Sequence, residues 1–176
     1  MGPTVQLRAR STQALGVAMM ILSGIGLASV VASGTDVVLQ FAAPLCLFGV
    51  IGWAAFWEPR VEVSDGAVTV TNTLRTVEVP WPAVQSVDGR YGLRLETAYG
   101  RVTAWGAAAP VGRDRAQGVQ GPAAVAVTER LEALRAAGHL EDAKLERPAP
   151  RTVWHVGVIT AVSVLVVATV VLPLLA

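Results

Sequence analysis

The sequence predicts an integral membrane protein in which a small antiparallel β-domain with one helix lies between an N-terminal helical hairpin and a third membrane helix. Of its 176 residues 53% are hydrophobic and only 15% are charged, whereas soluble domains carry about 25% charged residues. Between Ser11 and Trp57 the only charged residue is Asp36, and none follows Arg151. Between these apolar regions the sequence changes to the two-residue alternation that is typical of strands. A net charge of +1 excludes a nucleic-acid binder with a strong basic field.

Three stretches are long enough to cross a bilayer, which needs about 20 mostly apolar residues. They are predicted at 14–32, 37–57 and 153–176. The polar turn Ser33–Asp36 joins the first two, so that 14–57 forms an antiparallel hairpin. Cleavage of the first span as a signal peptide is the alternative, and it leaves the polar domain where it is.

The basic residues that flank the spans set the expected orientation through the positive-inside rule. They precede the first span, follow the second and precede the third: Arg8, Arg10, Arg60, Lys144, Arg147 and Arg151. We therefore predict a multi-pass protein of the plasma membrane. Its N-terminal residues 1–13 and its polar domain face the cytoplasm, and its C-terminus lies outside.

The polar domain is predicted at 58–140, with a linker at 141–152 before the third span. Short apolar-polar alternations, beginning at Val61 and turning at Asp65-Gly66, indicate at least five half-buried antiparallel strands. These strands predict a small sandwich or open barrel. Gly121-Pro122 then opens an amphipathic helix, which Gly138 ends. The apolar stripe of this helix is expected to pack on the strands, the alternative being a groove for a partner.

One run carries a family resemblance. Asn72 to Val87 (NTLRTVEVPWPAVQSV), placed after Asp65-Gly66 and a valine-rich strand, resembles the bacterial pleckstrin-homology (PH) domain proteins of actinobacteria. More specifically, it resembles the low-molecular-weight protein antigen 6 family. The resemblance implies a β-sandwich capped by a C-terminal helix after a hydrophobic hairpin. It implies no activity, and the third span lies outside the motif.

The candidate site consists of motif residues and nearby arginines that are available to a protein partner or a lipid headgroup: Asn72, Leu74, Arg75, Pro80, Trp81, Arg90 and Arg101. Asn72 is expected in a turn, where asparagine tolerates left-handed backbone. Pro80 should end its strand. Trp81 either covers the core or stacks on a ligand. Arg75 either binds an anion or faces solvent, and it could share one rim with Arg90 and Arg101.

Residues for catalysis are few. His139 and His155 lie far apart in the sequence, no nucleophile or metal motif is found, and the single cysteine, Cys46, can form no intramolecular disulfide. We therefore predict no enzyme, no metal and no cofactor.

Three functions fit this organisation: an adaptor that docks a protein partner at the cytoplasmic membrane face, a phospholipid headgroup sensor, and a structural subunit of a larger membrane complex. Balanced charge disfavours headgroup binding. The adaptor is therefore preferred, with an exposed sheet edge as its expected docking mode.

Overall fold

The computed structural model describes residues 4–110, 112–140 and 148–174. The helices are α1 (Arg10–Ser33), α2 (Thr35–Gly52), α3 (Gly112–Ala116), α4 (Pro122–Ala136) and α5 (Val156–Val171). The strands are β1 (Val5–Leu7), β2 (Arg60–Val63), β3 (Ala67–Thr71), β4 (Arg75–Pro80), β5 (Val84–Asp88), β6 (Leu93–Thr97), β7 (Gly100–Ala104) and β8 (Arg151–Trp154). The chain divides into two units.

The helical unit comprises Arg10–Glu58 and His155–Ala176. Helix α2 continues through a π-helical turn at Trp53–Trp57, so that this unit has three helices long and apolar enough to cross a membrane among the described residues. The predicted four-residue turn is wrong in its length. Gly34 alone separates α1 from α2, because its φ of 111° reverses the chain in a conformation that other residues rarely adopt.

The β unit comprises Met1–Ala9 and Pro59–Trp154 and contains two antiparallel sheets. The first sheet has the strand order β1-β2-β3-β4-β8, and the second has the order β5-β6-β7. Helix α4 packs its predicted apolar stripe on the strands, with Ala124, Val127 and Leu131 buried. That stripe is therefore core. Gly138, with a φ of 73°, lies just past the end of this helix, as predicted.

The sequence prediction missed the two outer strands of the five-stranded sheet. β1 lies within the segment that was expected to be a plain N-terminal extension, and β8 covers Arg151 and Thr152 of the predicted linker together with the expected start of the third span. Helix α5 consequently begins at Val156 instead of Val153. Both strands are only three or four residues long, too short to show a clear alternation. Linker residues 141–147 lie outside the described residues.

All three connections between the two units leave the β unit at one end of its five-stranded sheet. Leu7 pairs with Val61, and Arg60 with Thr71. On the other side of Thr71, Thr76 pairs with Val153. Three residues run on to the helical unit: Pro59 directly precedes Arg60, Trp154 directly follows Val153, and Ala9 lies two residues after Leu7. We call this the junction end, and we call the opposite end, with the β2–β3 hairpin at Asp65 and Gly66, the distal end.

Candidate functional site

Trp81 is a core residue. The strand β4 ends at Pro80, and a 3-10 turn over Trp81–Ala83 leads the chain into the second sheet. The Trp81 side chain is 2% exposed, and its Nε1–H donates to the carbonyl oxygen of Ser64 at 3.0 Å. The geometry supports the core interpretation of Trp81 over ligand stacking, and Pro80 ends its strand as expected.

Asn72 joins the two sheets through its side chain. Its Nδ2 donates to the carbonyl oxygen of Thr103 at 2.8 Å, and its Oδ1 accepts from the backbone N–H of Trp105 at 2.8 Å. The amide thus pairs with the edge of β7 as a neighbouring strand would. The expected left-handed backbone is absent, since no described residue other than glycine has a positive φ. Asparagine fits this position because it carries both a donor and an acceptor.

A groove of about 340 Å³ lies at the junction end, between the β3–β4 loop, β7 and β8. We call it the junction groove. Its lining residues are Asn72, Thr73, Leu74, Arg75, Arg101, Thr103, Trp105 and Trp154. Its rim is apolar and open to solvent: Trp105 is 71% exposed, Trp154 55% and Leu74 46%. Of the seven candidate residues, four therefore line one groove.

The two arginines of the junction groove are held differently. The guanidinium of Arg75 lies 5.7 Å from the centroid of the Trp154 ring, within cation–π range. Arg101 forms an ion pair with Glu96, with Nε and Oε1 2.6 Å apart. The local charge of these three ionic side chains is therefore +1, which is modest.

Arg90 does not line this groove. It lies in the β5–β6 turn, where its backbone N–H donates to the Asp88 carboxylate at 3.0 Å and its Nε lies 3.3 Å from the same oxygen. These interactions, the backbone hydrogen bond first, hold the pKa of Asp88 below its usual value. Of the three arginines that could share one rim, Arg75 and Arg101 line the junction groove and Arg90 does not.

A second groove, also of about 340 Å³, lies on the distal side of the β unit between β1, the β2–β3 hairpin and α4. We call it the distal groove. Its lining residues are Val5, Val63, Ser64, Asp65, Ala126, Glu129, Arg130 and Ala133. An ion pair between Asp65 and Arg130 spans it. Sequence reasoning missed this groove, because one wall is β1, and no signal placed that strand beside α4.

Potential ligands for a metal are dispersed. Within residues 4–110, 112–140 and 148–174, no group of three or more His, Cys, Asp or Glu side chains lies together in a way that could hold a metal ion. The structure therefore adds no metal-binding candidate to the two grooves.

Comparison with known protein families gives a match to the β unit. Residues 58–137 match the family model described as "Bacterial PH domain". No curated protein and no solved structure matches the chain. The matched range runs from just before β2 to the end of α4. It includes strands β2 to β7 and the helix α4 that packs on them, and it leaves out β1 and β8. The chain thus carries a PH-like domain together with three candidate membrane helices.

Proposed function

We propose that this chain is a membrane-tethered adaptor whose PH-like domain docks a protein partner at the cytoplasmic face of the membrane, without catalysis. The observation that carries the proposal is the position of the three chain connections. All of them leave the junction end, so the opposite end of the domain is left to meet another protein.

The distal groove has the properties of a small docking site. Its floor is apolar, with Val5 and Val63 from the sheet and Ala126 and Ala133 from α4. Its rim carries charges of both signs, which suits a polar boundary around an apolar contact. A groove of this size accepts one or two apolar side chains of a partner.

Strand addition gives the docking a defined mode. The docking mode expected from the sequence is an exposed sheet edge, and on this side of the five-stranded sheet the outer strand is β1. An extended partner segment that paired with β1 would add main-chain hydrogen bonds and direct alternate side chains toward the groove floor at Val5. The partner is therefore expected to offer a short extended segment with alternating apolar residues. The finer resemblance to the low-molecular-weight protein antigen 6 family stays a prediction.

In-cell photo-crosslinking tests the proposal. A photoreactive side chain is placed at Ala133, which lines the distal groove, and in a control at Ala136, which lies on the same helix outside it. Both residues are exposed, so that the two variants differ in position and not in burial. The adaptor predicts a discrete protein adduct at Ala133 that is much weaker at Ala136.

A second substitution distinguishes docking from chance collision. Ala126→Arg places a long charged side chain in the groove, and it should abolish the adduct at Ala133. Equal adducts at both positions, or an adduct that survives Ala126→Arg, would contradict docking in this groove. If neither position gives an adduct and a third photoreactive side chain placed in α5 does, the structural-subunit alternative is favoured.

A further inference from the structure

We propose that the junction groove binds the headgroup layer of the bilayer in which the chain's own helices are embedded, and thereby holds the PH-like domain against the membrane surface. Trp105, Trp154 and Leu74 enter the interfacial layer, and Arg75 contacts lipid phosphate. This inference concerns the end of the domain opposite the distal groove, and it does not depend on the adaptor function.

Chain connectivity brings the groove to the bilayer. Trp154 is followed by His155 and then by Val156, the first residue of α5. The Cα atoms of Trp154 and Val156 are therefore at most about 7 Å apart. On the other side, the carbonyl oxygen of Gly106 accepts from the backbone N–H of Ala9 at 3.2 Å. Ala9 directly precedes the first residue of α1. Both exposed tryptophans are therefore tied within a few residues to a candidate membrane helix.

The side chains of the groove suit the interface between lipid and water. Indole rings favour the headgroup level of a bilayer, where one edge is apolar and the other hydrated. The rings of Trp105 and Trp154 are more than half exposed, and Leu74 adds an aliphatic side chain beside them. A contiguous exposed apolar patch of this kind marks an interaction surface.

Arg75 supplies the polar contact. Its guanidinium lies beside Trp154, and the backbones of the two residues are paired between β4 and β8. A guanidinium at the headgroup level forms charge-assisted hydrogen bonds with phosphate oxygens. Arg101 is paired with Glu96, so that, among the residues that the structure describes, Arg75 is the lining cation left to bind an anion. Such a site favours lipid phosphate in general and not one multiply charged headgroup.

A single cation is sufficient here, because the membrane helices already keep the domain close to the lipid surface. Three candidate spans keep the domain at the surface, so that the groove faces lipid at a high effective concentration. A contact too weak to recruit a free domain still orients a tethered one. Only a few residues separate the groove from the candidate membrane helices, and this short connection favours the bilayer over a protein as the surface that the groove contacts.

Fluorescence quenching in lipid nanodiscs, in which both membrane faces are accessible, tests the contact in the full chain. In a Cys46→Ala background, Leu74→Cys is labelled with bimane, and Gly66→Cys at the distal end is the matched control. Gly66 has open space around it, so that its substitution is tolerated. The probes are a nitroxide on the lipid headgroup and iodide in the water.

We expect the headgroup nitroxide to quench the label at Leu74 several-fold more than the label at Gly66, and iodide to show the reverse order. Arg75→Gln should reduce the nitroxide quenching at Leu74 in discs that contain phosphatidylglycerol. Arg113→Gln, which removes an exposed arginine outside the groove, should leave it unchanged.

Two results would overturn the proposal. Equal quenching of the two labels by both probes would show that the groove faces water. A label at Leu74 that is shielded from iodide and also unaffected by the headgroup nitroxide would assign the groove to a protein surface, such as a second copy of the chain.

Discussion

The side-chain oxygen of Asn72 accepts a hydrogen bond from the backbone N–H of Trp105 at 2.8 Å, across a separation of 33 residues. The same amide donates to the carbonyl oxygen of Thr103. One side chain therefore closes the edge of the second sheet onto the loop that ends β3, and it shapes the floor of the junction groove.

Removing this amide should destabilise the domain. Asn72 is 9% exposed, so Asn72→Ala leaves two backbone groups without a partner at a largely buried position, and the expected cost is about 1–3 kcal/mol. Urea unfolding of the full chain in mild detergent measures the loss. Amide hydrogen exchange at Trp105 should accelerate as well. Gln85→Ala, which removes an exposed amide, is the control, and an equal loss in the two variants would contradict the role of Asn72.

Gly106 is expected to be intolerant of any side chain. A Cβ at this position would lie 2.5 Å from the backbone carbonyl carbon of Pro59, and neither backbone segment yields easily. Gly106→Ala should cost about 1–3 kcal/mol, as overpacking usually does. Gly66→Ala is the matched control, because a Cβ there meets nothing within 4 Å. A Gly106→Ala variant as stable as Gly66→Ala would show that the close approach of these segments is wrong.

Trp81 and Trp105, two of the three tryptophans of the β unit, should differ sharply on truncation. Trp81 is 2% exposed and Trp105 is 71% exposed, so Trp81→Ala should cost about 3–5 kcal/mol. Trp105→Ala should change the free energy of unfolding by about 0.5 kcal/mol or less. The same unfolding measurement compares them. A loss below about 1 kcal/mol for Trp81→Ala would instead favour a ligand-facing ring.

Local signals in the sequence were sufficient for the centre of the fold. Valine alternation predicted β2 and β3, Pro80 predicted the end of β4, and Gly121-Pro122 predicted the start of α4. Each of these follows from neighbouring residues, so that no long-range information was needed. The family resemblance is confirmed at the level of a bacterial PH-like domain.

The candidate site depended on contacts between distant segments, which no local pattern reveals. Arg75 and Arg101 were named from the sequence, but their convergence with Trp105 and Trp154 requires β8 to pair with β4. β8 is so short, and so close to the third span, that its residues read as linker and membrane helix. The distal groove was missed for the same reason, since β1 is a three-residue strand.

The Asp88 carboxylate should titrate below its usual pKa. Hydrogen bonds from the backbone and then from the guanidinium of Arg90 favour its charged form. The stabilisation from this group is therefore present above the unfolded-state pKa and is lost as the pH falls through the folded-state value. NMR titration checks the pKa, and Arg90→Gln should raise it only partly, because the backbone donor remains. A pKa that returns fully to its usual value in that variant would contradict the backbone contribution.

The orientation in the membrane is the last prediction. Basic residues flank the spans on one side only, while the α1–α2 turn at Gly34 carries none, so that the turn should lie outside and the PH-like domain inside. In a Cys46→Ala background, Thr35→Cys should react with a membrane-impermeant thiol reagent in intact cells. Gly66→Cys in the distal hairpin should react only after permeabilisation, and a reporter fused after Ala176 should be found outside. Both Thr35 and Gly66 are exposed, so that the difference reports the side of the membrane and not burial. Labelling of Gly66→Cys in intact cells would reverse the predicted orientation, and with it the cytoplasmic location of the adaptor's partner.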